Sequence, residues 1–293
     1  MVERVLAPGY ERAGMSSPTV SVRAPDHLGD GVLALGAVRA LAAAHPTVVH
    51  APAWGAELYA GLRVAPVDAP PTGAVAVILK PSVAAAWRWR AVPRRIGVGR
   101  RSWLTDPVEP RPGEHRRDTT RRVALALLGA APPWDDTFRA RGVPAPLPDE
   151  AWVLLAWGNT PAARWPGFRA LADRAPRPAV FVAGPGEGDA LRALAGPHPV
   201  LEVPRLADLA ATLDLAGRVV ANDTGLGHFA VACGARVLTV HGSTDPAITG
   251  SGVPVMAEAP PWCAPCWRKT CPFDLDCLRA VSVDAVLAAL EAS

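Results

Sequence analysis

The sequence predicts an α/β fold of two doubly wound, Rossmann-like domains that face each other across a cleft. Short apolar runs typical of buried strands alternate with helical segments rich in Ala and Leu. The alternation restarts after a Pro-rich stretch, Pro144 to Asp149, that has no periodicity. The length of 293 residues suits two domains. Strands joined in order by helices form parallel sheets covered on both faces, which is the doubly wound arrangement.

The Pro-rich stretch is the predicted domain boundary. We expect a weakly ordered N-terminal extension at residues 1–18, a first domain at 19–148 and a second domain at 149–293.

The predicted elements of the first domain are three strands and two helices, with further helices and loops between them. The strands are Thr19 to Arg23, Val48 to Ala51 and Val75 to Leu79; the helices are Gly31 to Ala44 and Arg121 to Leu128. The turn from Asp26 to Asp30 joins the first strand to the first helix.

The second domain repeats the alternation. Its predicted strands are Trp152 to Ala156, Ala179 to Ala183, Val200 to Val203, Arg218 to Val220 and Arg236 to Val240; its helices are Pro166 to Ala175, Leu206 to Leu215 and Val283 to Leu290. A further short helix of small residues ends near Cys233.

The composition argues against a transmembrane helix and against an N-terminal signal peptide. Half of the residues are hydrophobic, yet no run of 18 apolar residues occurs, so no transmembrane helix is expected. The first 18 residues lack the apolar core and cleavage site of a signal peptide.

The net charge is only +3, but a basic stretch stands out. From Arg88 to Arg122 the chain has eleven Arg against four carboxylates, with Trp89 and Trp103 among them and Trp87 directly before. A charge run is most often a solvated face. The alternative is a surface for an anionic partner, namely nucleic acid, anionic lipid or a sugar with carboxylates and phosphates. No nucleic-acid-binding motif accompanies the stretch, so we expect no nucleic acid.

The segment from Ala221 to His228 is the strongest indication of a binding site. Asp223 and Thr224 suit a helix N-cap, and Pro246 suits the first position of a later helix. Two helix N-termini at the ends of adjacent parallel strands could bind a diphosphate. His228 lies one turn into the helix and could reach the same anion. The simpler alternative is that Asp223 only caps a helix and His228 lies on the surface.

Asn-Asp-Thr-Gly-x-x-His at 222–228, with Gly-Ser-Thr-Asp-Pro at 242–246, resembles the donor-site signature of glycosyltransferase family 9, which contains the ADP-heptose:lipopolysaccharide heptosyltransferases. Further segments resemble the family in the same order: Leu28-Gly29-Asp30, Leu79 to Ser82, Arg94 to Gly97 and Thr160 to Pro166. The resemblance implies the GT-B fold, with the acceptor bound by the first domain and the donor by the second.

The resemblance also implies roles for individual residues. Asp30 would be the general base that takes a proton from the acceptor hydroxyl. The acceptor residues would be Lys80, Ser82, Arg94 and Arg95, and the donor residues would be Asn159, Thr160, Arg164, Asp223, Thr224, Gly225 and His228. Glu187 follows a Gly-rich loop and could bind ribose hydroxyls. Ala163 stands where the family usually carries Lys, which puts ordinary donor affinity in question.

Four cysteines lie close together near the C-terminus, at Cys263, Cys266, Cys271 and Cys277. Such a cluster could hold a structural zinc ion, or the thiols could stay reduced and pack a loop. The segment resembles a Cys-rich segment of heptosyltransferase II-like members, which places the chain nearest that branch.

The predicted function is inverting transfer of a heptose-like sugar from a nucleotide sugar, with ADP-heptose favoured, to an anionic glycolipid or oligosaccharide such as lipopolysaccharide core. No cofactor is required, and the cysteine cluster could hold a structural zinc ion. The family implies a cytoplasmic location with peripheral contact at the inner membrane. Two alternatives remain: a non-catalytic homologue that binds nucleotide sugars, and a sugar-nucleotide epimerase.

Overall fold

Two parallel six-stranded sheets form the framework of the computed structural model, which describes residues 18–292. The N-terminal extension expected at residues 1–18 lies outside the described residues, except for Pro18.

The first sheet lies in the first half of the chain and has the strand order β3-β2-β1-β4-β5-β6. Its strands are β1 (Val20–Arg23), β2 (Thr47–Ala51), β3 (Arg63–Pro66), β4 (Val75–Ile78), β5 (Arg94–Val98) and β6 (Asp106–Val108). The helices of this half are α1 (Leu28–Leu33), α2 (Leu35–Ala44), α3 (Gly55–Leu58), α4 (Val83–Arg88) and α5 (Arg116–Leu128).

The second sheet has the order β12-β11-β10-β7-β8-β9. Its strands are β7 (Trp152–Leu155), β8 (Ala179–Ala183), β9 (Val200–Glu202), β10 (Arg218–Asn222), β11 (Val237–Val240) and β12 (Val253–Val255). The helices are α6 (Phe168–Arg174), α7 (Gly188–Ala195), α8 (Leu206–Leu213), α9 (Gly225–Ala232), α10 (Pro246–Thr249), α11 (Asp276–Arg279) and α12 (Val283–Ala292), with a 3₁₀ turn at Pro161–Ala163.

Several central strands are buried along their whole length because helices cover both faces of each sheet. β1, β4, β7 and β8 are buried at every residue. One apolar cluster continues from the first half into the second, and in it the rings of Phe138 and Phe229 lie 4.8 Å apart. The predicted fold class, two doubly wound α/β halves, is confirmed.

The linker between the sheets runs along the second half before it enters β7. The backbone N–H of Phe138 donates to the carbonyl of Ala232, and that of Gly142 donates to the carbonyl of Ala207. The boundary predicted at 148/149 falls between the last strand of one sheet and the first strand of the next.

The clearest differences from the sequence predictions lie in the first half of the chain. The single helix predicted from Gly31 to Ala44 is two helices, α1 and α2, which meet at Ala34 and begin earlier, at Leu28. Arg94 and Arg95 belong to strand β5, which the sequence analysis treated only as a binding segment. Among residues 18–292, no helix has the length and apolar character needed to cross a membrane.

Candidate active site

Helices α1 and α9 touch through two glycines, and this contact brings the two halves of the chain together. A Cβ on Gly29 would lie 2.7 Å from Cδ2 of His228, and one on Gly225 would lie 3.1 Å from the backbone nitrogen of Gly29. Only glycine permits so close an approach of the two backbones. Asp30 follows Gly29 directly, so the candidate base lies beside the candidate donor signature.

Asp223 lies at the centre of a buried polar network after strand β10. Its Oδ2 accepts a hydrogen bond of 2.8 Å from the Thr249 hydroxyl and lies 3.6 Å from Nδ1 of His241. Its Oδ1 lies 3.3 Å from Nε2 of His228, whose Nδ1 is 2.5 Å from the Ser251 hydroxyl. Asp223 therefore orients groups from several loops and is more than a helix cap.

Burial decides the protonation of this network. It lowers the pKa of His228, and the carboxylates of Asp223 and Asp30 only partly oppose that effect. Burial also lowers the pKa of His241. For Asp223, burial alone would raise the pKa, but His228, His241 and nearby hydroxyls hold it below its ordinary value. At neutral pH the network therefore has neutral imidazoles around an ionised carboxylate.

Within residues 18–292, two buried polar atoms at the start of α9 have no hydrogen-bond partner: Oδ1 of Asp223 and the hydroxyl of Thr224. Thr224 occupies the N-cap position of α9, but its side chain makes no capping bond, in contrast to the sequence expectation. Buried polar groups are normally paired, so unpaired ones at a helix N-terminus indicate a place for a polar ligand.

The second predicted helix N-terminus is that of α10, a single turn of four residues. Pro246 opens it as predicted, and the side chain of Asp245 caps it by accepting from the N–H of Ala247 at 2.9 Å. This terminus is already capped, so α9 is the better candidate for binding an anion.

The loop after β7 reaches the same place. A Cβ on Gly158 would lie 2.7 Å from Cγ2 of Thr224, so this loop packs on the start of α9. Arg164 donates from Nε to the carbonyl of Gly158 at 2.8 Å, and its guanidinium lies 3.6 Å from the ring of Trp157. Asn159 is exposed, and Thr160 is half-buried before the 3₁₀ turn. Arg164 is thus a fixed cation close to the donor signature.

Ala163 lies inside the 3₁₀ turn and is only 5% exposed. The turn is held from outside as well, because the N–H of Ala162 donates to the carbonyl of Lys269 at 3.1 Å. A long cationic side chain would not fit at Ala163 without moving this turn.

Glu187 holds its own loop together. Its Oε2 accepts from the backbone N–H of Gly184 at 3.1 Å, at the end of β8. Burial lowers the pKa of Arg164 and the charge of Glu187 opposes this, so the two groups lie within electrostatic reach. A ribose contact by Glu187 stays a prediction.

A pocket of about 390 Å³ opens beside Asp30 in the first half. Lys80 lines it with Asp26 and Arg116. Arg116 donates from Nη1 to Oδ1 of Asp30 at 2.9 Å, and Lys80 pairs with Asp26. The pocket therefore joins a carboxylate that could act as a base with cations that could bind an anionic substrate.

The other predicted acceptor residues have structural contacts within the first half of the chain. Ser82 caps α4 by accepting from the N–H of Ala85 at 3.4 Å. Arg94 pairs with Asp106 at 3.2 Å. Arg95 donates to backbone carbonyls, including that of Trp103 at 3.1 Å. Lys80 is the predicted acceptor residue that the structure places with Asp30.

The Cys-rich loop lies across the cleft from α5. The ring of Trp267 lies 5.8 Å from the guanidinium of Arg116, which joins this loop to the ion pair with Asp30. The four thiols are free and line one cavity of about 10 Å³: they are Cys263, Cys266, Cys271 and Cys277. Burial raises the pKa of Cys277.

Within residues 18–292, no group of three or more His, Cys, Asp or Glu side chains is arranged to hold a metal ion. Zinc binding by the four thiols stays a prediction, and metal analysis of the purified protein would test it.

Three residues of the site were not found from the sequence. Arg116 looked like one of many arginines, and His241 looked like part of a strand end. Gly29 belongs to a quoted motif, but its role in contacting α9 depends on the packing of distant segments.

Comparisons with known proteins find a match to a family model over part of the chain. Residues 145–275 match the model for glycosyltransferase family 9 (heptosyltransferase). Lipopolysaccharide heptosyltransferase 1 of Pseudomonas aeruginosa is 37% identical over 133 residues, which are 42% of this chain and 35% of that protein. The chain thus spans about a third of the length of this curated relative.

Solved structures extend the similarity to the whole fold. A family 9 glycosyl transferase from Veillonella parvula has a TM-score of 0.70 at 16% identity, covering 94% of this chain and 97% of that one. The E. coli ADP-heptose lps heptosyltransferase II has a TM-score of 0.69 at 16% identity, covering 94% of this chain and 98% of that one. The E. coli heptosyltransferase WaaC, solved with ADP, has a TM-score of 0.66 at 18% identity, covering 94% of this chain and 99% of that one.

Similarity at such low identity establishes the fold, and the sequence match is confined to the second half of the chain. Because these relatives include both heptosyltransferase 1 and heptosyltransferase II, the nearer branch stays a prediction. Residues 145–275 match glycosyltransferase family 9 by sequence, and the chain as a whole has the two-domain GT-B fold of the solved structures of that family.

Proposed function

We propose that this protein is an inverting glycosyltransferase that moves a sugar from a nucleotide diphosphate to a hydroxyl of an anionic acceptor. One observation carries the proposal. Asp30 forms part of an open pocket and directly follows the glycine that lies against His228 of the donor signature. A base and an anion site therefore meet where the two halves touch.

The donor would bind at the N-terminus of α9. The backbone N–H groups of the first turn and the unpaired Thr224 hydroxyl offer hydrogen bonds to a diphosphate. Arg164 adds a positive charge from the neighbouring loop. We favour ADP-heptose, because the curated relative is named a lipopolysaccharide heptosyltransferase and WaaC was solved with ADP.

The reaction is a direct displacement. Asp30 accepts the proton of the acceptor hydroxyl. At the same time the hydroxyl oxygen attacks the anomeric carbon of the donor from the face opposite the diphosphate. The bond from the anomeric carbon to the diphosphate oxygen breaks, the configuration inverts, and the nucleotide leaves with the electron pair. Negative charge grows on the leaving group, where the helix N–H groups, Arg164 and His228 can stabilise it. We expect no metal or organic cofactor for this step.

The acceptor would occupy the 390 Å³ pocket. Arg116 and Lys80 suit an acceptor with carboxylate or phosphate groups, such as the core of a lipopolysaccharide. Each cation is paired with a carboxylate: Arg116 with Asp30 and Lys80 with Asp26. An anionic acceptor would compete for Arg116 and leave Asp30 available as a base.

A non-catalytic homologue that binds nucleotide sugars is the second candidate. Ala163 favours it, because the family's usual Lys is absent and the position is buried. The two candidates differ in turnover: an enzyme releases nucleoside diphosphate only when the acceptor is added, whereas a binding protein releases none.

The experiment is a thermal-shift screen of ADP-, GDP- and UDP-sugars, followed by nucleotide-release assays with the best donor. A ligand at 100 times its dissociation constant stabilises a protein by about 2.7 kcal/mol, which is readily detected. We expect ADP-heptose to give the largest shift and to release ADP in the presence of an anionic glycolipid. No shift with any nucleotide sugar would contradict the proposal.

A further inference from the structure

One imidazole joins the two halves of the chain at the start of helix α5. His115 is the N-cap of this helix, where its Nδ1 accepts a hydrogen bond of 3.2 Å from the backbone N–H of Arg117. Its Nε2 lies 2.9 Å from the carbonyl oxygen of Gly250, in the second half. Because Nδ1 is an acceptor, Nε2 carries the ring proton and donates to that carbonyl. We propose that His115 is a positioning residue, which holds His228 of the donor signature in place opposite Asp30.

The bond to Gly250 fixes a segment of three residues, 249–251, that lies against the donor signature. Thr249 donates from its hydroxyl to Asp223 at 2.8 Å, and the hydroxyl of Ser251 lies 2.5 Å from Nδ1 of His228. Gly250 lies between these two residues in the chain. A displacement of Gly250 would therefore move the partners of Asp223 and of His228 together.

The other end of the bridge is a fixed point of the first half. Glu114, directly before His115, accepts hydrogen bonds of 2.9 and 2.7 Å from two nitrogens of Arg122 on the same helix. Directly after His115, Arg116 donates to Asp30 at 2.9 Å. Two consecutive residues at the start of α5 thus contact the candidate base and the donor half of the chain.

The presence of histidine at this position is explained by the bridge and not by the cap. Ser, Thr, Asp and Asn are the usual N-cap residues, since capping needs only an acceptor close to the backbone. An imidazole adds a donor on the far side of its ring, and here that donor reaches the other half of the chain. Burial is the main cause that lowers the pKa of His228, and the charge of His115 adds to it, so the two rings lie within electrostatic reach.

The role of His115 rests on the proposed function, in which Asp30 takes the proton of the acceptor hydroxyl and His228 stabilises the departing diphosphate. These groups act on opposite faces of the anomeric carbon, and a misplacement of about 1 Å can cost 10²-fold in rate. The contact between Gly29 and α9 sets how closely the two helices approach. The bridge from His115 through Ser251 sets the orientation of the His228 ring.

Two variants separate the cap from the bridge. The amide of His115→Asn takes the place of Nδ1 and keeps the cap, but it is too short to reach the carbonyl of Gly250. The amide of His115→Gln takes the place of Nε2 and keeps the bridge, but it caps poorly. We expect kcat of the Asn variant to fall at least tenfold, with the acceptor KM and the donor Kd within roughly twofold of wild type. The Gln variant should keep most of kcat but have the lower melting temperature.

A double-mutant cycle tests whether His115 acts through Ser251. Ser251→Ala alone should lower kcat, and its combination with His115→Asn should cost little more, because both changes remove the same support of His228. Glu57→Ala is the matched control, because Glu57 also joins the two halves, by accepting from the N–H of Leu206 at 2.8 Å. The control should keep wild-type kcat. Independent, additive losses from His115→Asn and Ser251→Ala, or an equal loss in Glu57→Ala, would contradict the proposal.

A measurement without substrate separates the role of His115 from the proposed function. NMR of the protein with isotope-labelled histidines should show His115 as the Nε2–H tautomer, and His115→Asn should shift the ring signals of His228 more than His115→Gln does. Unchanged His228 signals with wild-type kcat in His115→Asn would overturn the role of His115 and leave the proposed function standing. Shifted His228 signals in a protein that transfers no sugar would support the positioning of His228 and overturn the proposed function instead.

Discussion

Gly29 and Gly225 lie against each other where α1 meets α9, and their missing side chains set the distance between the two halves of the site. A Cβ added to Gly225 would lie 3.1 Å from the backbone nitrogen of Gly29 and 3.2 Å from Cβ of Leu28. The carboxylate of Asp30 and the imidazole of His228 come from opposite halves of the chain. Their proximity depends on this contact.

Gly29→Ala is therefore expected to reduce transfer. The added methyl group would lie 2.7 Å from Cδ2 of His228, which is too close, and His228 is buried and held by Ser251. Turnover should fall at least tenfold, because a displacement of about 1 Å can cost 10²-fold in rate. Gly225→Ala has milder contacts and should have a smaller effect. Wild-type turnover in Gly29→Ala, measured by steady-state kinetics, would show that this contact does not set the site.

Stability should depend on pH through the buried histidines. Burial lowers the pKa of His228 and of His241 in the folded state. The unfolded chain then binds more protons than the folded protein below about pH 6.5. Each such histidine makes its full contribution to the free energy of unfolding above that pH. The contribution is lost as the pH falls through the folded-state pKa, at up to about 1.4 kcal/mol per pH unit.

Melting temperatures of the wild type and His241→Asn between pH 7.5 and 5 test this expectation. The wild type should lose stability as the pH falls, and the variant should lose less. The lowered pKa of Asp223 acts in a more acidic range, below about pH 3.9, and does not disturb this comparison. Parallel profiles for the two proteins would contradict the assignment.

Arg164 should be the main cation for the donor. Its removal in Arg164→Ala deletes a charge-assisted contact that contributes about 1.5–3 kcal/mol, so donor affinity should fall at least tenfold. Arg169→Ala is the matched control, because Arg169 is likewise half-buried and pairs with Asp173 on α6. Calorimetry with the donor distinguishes the two. Equal affinities in both variants would remove Arg164 from the donor site.

Ala163→Lys is expected to destabilise the protein and not to improve donor binding. The position is 5% exposed within a turn that is bonded to the carbonyl of Lys269. Burying an ammonium group there would cost more than a new phosphate contact could return. The melting temperature should fall by several degrees. An unchanged melting temperature with tighter donor binding would show that the Lys can reach the diphosphate after all.

The sequence alone was sufficient to predict the strands whose residues are all apolar. The bounds of β8, Ala179–Ala183, are those predicted, because a buried parallel strand has no polar side chains to obscure its pattern. β5 and β6 were missed because Arg94, Arg95 and Asp106 suggest a solvated charge run. These strands lie at and next to the edge of the first sheet, where charged side chains can reach water.

The site was only partly predictable for a different reason. Asp30, Asp223 and His228 belong to short motifs, whose residues are close together in the sequence and can be found from it alone. The pairing of Arg116 with Asp30 and the burial of Ala163 follow from contacts between segments far apart in the chain. The same applies to Arg95, whose charge suggested a ligand but whose guanidinium binds three carbonyls of its own domain.

The central claim, that Asp30 is the base of a glycosyl transfer, is tested most directly by Asp30→Asn. The change keeps the size of the side chain and its place beside Arg116 but removes the carboxylate. ADP release should be measured with ADP-heptose and an anionic glycolipid, beside calorimetry of the donor. Loss of a general base should lower turnover by about 10²–10⁴ while the donor dissociation constant stays within roughly twofold. Turnover above about a tenth of wild type, or a loss of donor binding that explains the whole effect, would contradict the account.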